Sequence, residues 1–164
     1  MYYSKINKTD IANGDGVRVS LFVSGCRHHC KGCFNKETWN FKYGKPFTEE
    51  TVNEIIKSLE PDYIQGLSIL GGEPFEPDNQ PYINDLLKKV TTTYPNKDIW
   101  VWTGCLLEEL DGMIDSDYYT DITCDILSYI DYLIDGKFIE DLKDITLKYR
   151  GSTNQRVWKL SNKE

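Results

Sequence analysis

The stretch "GCRHHCKGCFN", residues 25 to 35, holds three of the chain's five cysteines, Cys26, Cys30 and Cys33. Its two histidines, His28 and His29, are the only ones in the chain and lie between the first pair. Thiols gathered this closely hold a metal, close a disulfide or react. Five cysteines cannot all pair. In a reducing compartment clustered cysteines bind metal or do chemistry more often than they bridge. A structural zinc wants four ligands, usually two CxxC-like knuckles or a Cys/His pair further on. Here the spacing is CxxxCxxC with no second cluster, so Cys105 or Cys124 would have to complete a zinc site. A histidine between two ligating cysteines is poorly placed to reach the same ion. Three thiolates alone suit a 4Fe-4S cluster with one open iron, and an open metal position is a place for substrate. Spacing by itself leaves both metals standing.

Other polar or glycine-rich clusters sit at the ends of apolar runs. "VRVSLFV" (17–23) reads as a strand and leads into the cysteine loop. "LSIL" (67–70) runs into Gly71-Gly72-Glu73-Pro74, "DIWVWTG" (98–104) closes on Thr103-Gly104, and "YIDYLIDG" (129–136) delivers Asp135-Gly136-Lys137. Between these strands lie helical patterns. Thr48 is a good N-cap, Glu49 and Glu50 suit a positive helix end, and Val52, Ile55, Ile56 and Leu59 share one face. Ile83, Leu86, Leu87 and Val90 repeat that spacing, and "LLEELDGMI" (106–114) predicts a third, short helix. Strand and helix alternate, which predicts an α/β fold with a mainly parallel sheet covered by outer helices. In such folds functional groups gather at the C-terminal ends of the strands, so the four clusters are expected on one rim.

The composition fits one domain over 1–164, a size that buries about 70% of its unfolded surface without disulfides. There is no internal repeat and no Pro/Gly/Ser linker. A net charge of −7 and a pI near 4.9 argue against nucleic acid and anionic membrane as partners. "MYYSKINKTD" has no apolar signal region, and no apolar run approaches the ~18 residues that span a bilayer, so a cytoplasmic protein is expected. Cys105 and Cys124 read as reduced, inert thiols.

CxxxCxxC at the end of a first strand resembles the cluster motif of the radical S-adenosylmethionine enzymes. The resemblance implies a full or partial (β/α) barrel; at this chain length it implies a partial, open one. It further implies that the open iron chelates the amino and carboxylate groups of S-adenosyl-L-methionine. An electron from the cluster then yields methionine and a 5′-deoxyadenosyl radical. "GGEP" (71–74) resembles the family's glycine-rich motif, so Gly71, Gly72 and Glu73 are expected to bind the methionyl amino group. Physically, glycines let backbone approach a ligand and a carboxylate can sit near an ammonium. The family often has an aromatic residue just before the third cysteine. Here Gly32 holds that position and Phe34 follows the cysteine; both are candidate adenine contacts.

"LFVSGCRHHCKGCFNKETWNFKYG", "LSILGGEPFEP", "YLIDGKF" and "YRGSTNQRV" together resemble the branch that activates anaerobic ribonucleoside-triphosphate reductase. That branch implies hydrogen abstraction from a reductase glycine, leaving a glycyl radical, and a flavodoxin- or ferredoxin-type reductant. Asp135 and Lys137 resemble an Asp-x-Lys that contacts S-adenosylmethionine in a related activase; as "IDGK" they are equally good turn chemistry. Arg150, Asn154, Gln155 and Arg156 distinguish this branch. They either recognise the reductase or pair with this acidic chain and close the sheet. A small-molecule radical enzyme of the deazapurine synthase kind and a zinc-binding adaptor are the alternatives. Finally, residues 24–36 carry Arg27, Lys31 and Lys36 but no carboxylate. That charge either offsets the anionic cluster or steers an acidic donor.

Overall fold

Four apolar runs become four parallel strands. In the computed structural model, which describes residues 1–161, they are β2 (Val17–Val23), β4 (Ile64–Gly71), β5 (Asp98–Trp102) and β6 (Tyr132–Asp135). Flanking them antiparallel are β1 (Tyr2–Asp10), β3 (Lys45–Pro46) and β7 (Arg156–Lys159). The sheet has seven strands in the order β3-β1-β2-β4-β5-β6-β7, so it is open and mixed, with its parallel strands in the middle.

Register decides what each face does. Val19, Leu67 and Ile99 align across β2, β4 and β5; Leu21, Ile69 and Val101 form the next row, and Leu133 of β6 faces Val101. All seven side chains are fully buried in one apolar core. Because the side-chain period is two, the alternate residues line the opposite face. There Ser20 faces Ser68, Ser68 faces Trp100, and Trp100 faces Tyr132. Arg18 is fully buried on this second face. It donates to Ser68 Oγ (2.7 Å) and the Leu67 carbonyl (3.1 Å), pairs with Asp98 (2.6 Å) and lies over the Trp100 ring. One face is apolar. The other is polar and aromatic.

The helices cover the apolar face. They are α1 (Glu49–Ser58), α2 (Gln80–Thr93), α3 (Leu107–Leu110) and α4 (Thr123–Tyr129). β2, β4 and β5 are each followed by a crossover that advances the sheet in one direction, and right-handed crossovers then share one side. Accordingly α2 packs against both α1 and α4, and α4 against α3. Thr48 caps α1 as expected, with its N–H donating to Thr51 Oγ1 at 3.1 Å. Ile83, Leu86, Leu87 and Val90 are all buried, a gross contribution of roughly 6–12 kcal/mol at ~1.5–3 kcal/mol per side chain. The helix expected over 106–114 is a single turn, because Gly112 takes a left-handed φ of 84° and ends it. No described helix is long and apolar enough to cross a membrane.

Candidate metal centre

The four strand ends do meet. A cavity of about 410 Å³ opens at the C-terminal ends of β2, β4, β5 and β6, lined by Cys26, Cys30 and Cys33, by Leu70 to Glu73, by Trp102 to Gly104, and by Gly136 and Phe138. Gly25, Gly71 and Gly136, each ending one of these strands, have φ of 98°, 111° and 100°. Only glycine enters that region cheaply, so three sharp exits turn the chain into the cavity. At Gly72 a Cβ would fall 2.7 Å from the Gly25 carbonyl, which fixes how closely the β4 loop and the cysteine loop can pack.

Of the three cysteines, Cys26 is buried and Cys30 and Cys33 are half-buried; all are free thiols. Burial, and then the Glu73 carboxylate, push the Cys26 thiol up to about 12, and burial raises Cys30. Three thiols lining one cavity are the donor set of a 4Fe-4S cluster with one iron left open. The histidines are engaged elsewhere: His28 Nε2 meets Glu73 at 2.7 Å, and His29 stacks on Trp39 with ring centroids 4.3 Å apart. Cys105 lies with His28 and Glu73 in a tight group, but its thiol is raised by burial and it sits in the apolar core.

Gly71 and Gly72 line the cavity with backbone alone, as a close-approach cradle requires. Glu73 lies beside them, fully buried, with its carboxylate turned into the protein. Phe34 edges the cavity and is 86% exposed. Gly32 is not part of the lining; a Cβ there would meet the Glu140 side chain at 2.9 Å. Asp135 is fully buried and also outside the lining. It accepts from Arg156 Nε (3.0 Å), Arg156 Nη2 (2.5 Å) and the Leu107 N–H (2.8 Å). Lys137 is exposed, and its carbonyl accepts from Asn154 Nδ2 at 2.7 Å.

The segment 150–156 is folded against the β6 loop. Gln155 Nε2 donates to the Gly136 carbonyl at 2.9 Å, while its Oε1 accepts from the Gly151 and Ser152 N–H groups. Arg156 also forks onto Glu108 at 2.7 and 3.0 Å. Arg150 and Gln155 line the cavity; Asn154 and Arg156 do not. Several lining residues had no sequence signal as site residues, among them Asn13, Trp39, Trp102 and Tyr149. Tyr149 stands out because it holds a left-handed φ of 68° without being glycine. Its hydroxyl bonds Asp15 across the polar face.

Comparison with known proteins agrees with this geometry. A family model described as a 4Fe-4S single cluster domain matches residues 12–158. A protein of Salmonella typhi called anaerobic ribonucleoside-triphosphate reductase-activating protein is 44% identical over 162 residues, 98% of this chain and 99% of its own length. One of the same name from Escherichia coli (strain K12) is 44% identical over 162 residues, with the same coverage. Another from Enterobacteria phage T4 is 42% identical over 158 residues, 96% of this chain and 94% of its own length.

Proposed function

The chain belongs to the family of anaerobic ribonucleoside-triphosphate reductase-activating proteins, and from that premise we propose that it is a radical S-adenosylmethionine activase of such a reductase. The single observation that carries the reading is the convergence of Cys26, Cys30 and Cys33 with the Gly71-Gly72 backbone on one cavity. In this reading residues 1–164 form one radical S-adenosylmethionine domain whose open sheet is a partial barrel. The three thiolates hold a 4Fe-4S cluster with one open iron. When bound, the reduced cluster supplies the electron that splits S-adenosyl-L-methionine into methionine and a 5′-deoxyadenosyl radical, which takes a hydrogen atom from a reductase glycine.

The chain's own residues bind and enclose. Backbone carbonyls at Gly71 and Gly72 offer acceptors to an ammonium, a role the occupied Glu73 side chain does not share. The rings of Trp102, Phe138, Tyr149 and Phe34 give the cavity apolar walls that keep bulk water from a reactive carbon. Asp135 supports the β6 loop from beneath, through Arg156, rather than touching ligand. Lys137 and Gly32 belong to the outer face of that same rim. Arg150, on the cavity wall, is the member of the 150–156 segment best placed to meet the reductase; Asn154, Gln155 and Arg156 shape the turn that presents it. The reaction belongs in the cytoplasm, where cysteines stay reduced, and its electron comes from a flavodoxin- or ferredoxin-type protein.

The test is anaerobic reconstitution. The protein should hold about four iron and four sulfide per chain. On reduction it should release 5′-deoxyadenosine from S-adenosylmethionine and place a glycyl radical, visible by paramagnetic resonance, on an anaerobic reductase. Stoichiometric zinc in place of iron, or a reduced cluster indifferent to S-adenosylmethionine, would remove the reading.

A further inference from the structure

The Glu73 carboxylate already has its partners. Oε1 accepts from the Phe75 N–H and the Thr103 hydroxyl, each at 2.8 Å. Oε2 accepts from the Gly104 N–H at 2.8 Å and meets His28 Nε2 at 2.7 Å. A carboxylate has about four lone-pair sites, so none remains for a ligand. Its partners come from the cysteine loop, its own β4 loop and the loop after β5. Three residues on, Glu76 is also fully buried, and it accepts from the Arg27 N–H (2.7 Å) and Arg27 Nε (2.8 Å). Two successive residues between Cys26 and Cys30 therefore hang on two carboxylates of the "GGEPFE" segment. The His28 side chain is 4% exposed, stacks on the Tyr118 ring at 4.9 Å, and fills the space over Gly104, where a Cβ would come within 2.6 Å of the imidazole.

We propose that His28 is a positioning residue: its imidazole, gripped by Glu73, holds the cysteine loop in fixed register with the Gly71-Gly72 cradle. Backbone contacts alone make a weaker hinge between the two loops, since they run only from Glu73 N–H to the Gly25 carbonyl and from Gly72 N–H to the Val23 carbonyl, both at the start of the cysteine loop. His28 lies further in, between two of the thiols. Its link is buried and made to a charged group, so it is stronger than an ordinary surface hydrogen bond. The geometric claim stands on the contacts above; its consequence for cofactor binding rests on the function proposed in the preceding section.

Two substitutions separate the hydrogen bond from the bulk. His28→Gln keeps a nitrogen donor at similar reach, and His28→Leu keeps volume without a donor. In the full-length chain, amide hydrogen exchange over 25–30 should be about 10-fold faster in His28→Leu, as loss of a buried hydrogen bond to a carboxylate implies, and near wild type in His28→Gln. After reconstitution His28→Leu should still hold its cluster through three intact thiolates. Its KM for S-adenosylmethionine should rise about 10-fold by the same measure, with a weakened response of the reduced cluster's paramagnetic signal to S-adenosylmethionine, and His28→Gln should restore both. Should His28→Leu not fold, His28→Asn, polar but too short to reach Glu73, replaces it with the same expectations. Unchanged exchange and KM in the donor-less variant overturn the proposal, and so does a His28→Gln as impaired as that variant. A wild-type protein that ignores S-adenosylmethionine while its loop exchange follows this pattern would overturn the proposed function and leave His28's positioning role intact.

Discussion

Cys26, Cys30 and Cys33 lie within eight consecutive positions and converge on one cavity wall, so their joint role is written locally in the chain. Replacing any one by alanine should abolish the 4Fe-4S absorbance and S-adenosylmethionine cleavage, because water replaces neither the charge nor the bond of a lost thiolate. Cys105→Ala should keep the full iron content. It should cost about 1 kcal/mol from the small void left in the core, near the low end for buried truncations. Iron analysis and denaturant midpoints read the two effects apart, and a Cys30→Ala protein with a full cluster would contradict the ligand assignment. Other residues were illegible for a physical reason. Glu76 reaches Arg27 across 49 positions and Tyr149 reaches Asp15 across 134, and no local pattern announces such a meeting. Glu73 was legible as a site residue, while the direction of its side chain depended on donors at positions 28, 103 and 104 that come together only in the fold.

At the scale of elements, the four parallel strands and the faces of α1 and α2 follow from apolar periodicity, since burying those side chains is what forms them. Strands β1 and β7 gave no such signal. Much of β1, which β3 covers only at Tyr2 and Tyr3, is half-buried or exposed, and the edge strand β7 alternates half-buried and exposed residues. Beyond its ladder with β6, charge ties β7 down. Arg156 bridges Asp135 of β6 and Glu108 of α3, and its guanidinium also lies over Trp158 at 4.9 Å. Arg156→Met would leave the buried Asp135 carboxylate without its cation. We expect a loss of about 2–3 kcal/mol, below the usual cost of breaking a fully buried pair because the Arg156 side chain is 36% exposed. Arg156 also holds Glu108 down to about 2. A carboxylate depressed in the folded state stabilises fully above its unfolded value of about 4.3 and loses that contribution as pH falls toward its folded value. The stability gap between wild type and Glu108→Gln should therefore be constant above about pH 5 and close by about pH 2. A gap that widens on acidification would show that Glu108 is not paired in solution.

Charge at the scale of the molecule differs from charge along the chain. The cysteine loop has a local excess of three positive residues, Arg27, Lys31 and Lys36, set in a chain of net −7. Folding brings Glu76 to 2.8 Å from Arg27 and Glu140 to 3.7 Å from Lys31. Lys36 forms no ion pair among the described residues, so of the three loop cations it is the one whose charge a distant partner would sense most. An acidic electron donor should thus be steered, but weakly. Its rate of reducing the cluster should fall by less than about 10-fold as the Debye length shrinks from ~10 Å at 0.1 M salt to ~3 Å at 1 M, the low end of electrostatic steering. Lys36→Glu should slow reduction several-fold at low salt, and the difference should vanish at high salt. Lys31→Glu should do less, because its charge already faces Glu140. Stopped-flow reduction across ionic strength measures both. Rates flat in salt would remove steering altogether, and a larger effect at Lys31 than at Lys36 would mean that the donor approaches from the Glu140 side of the cavity.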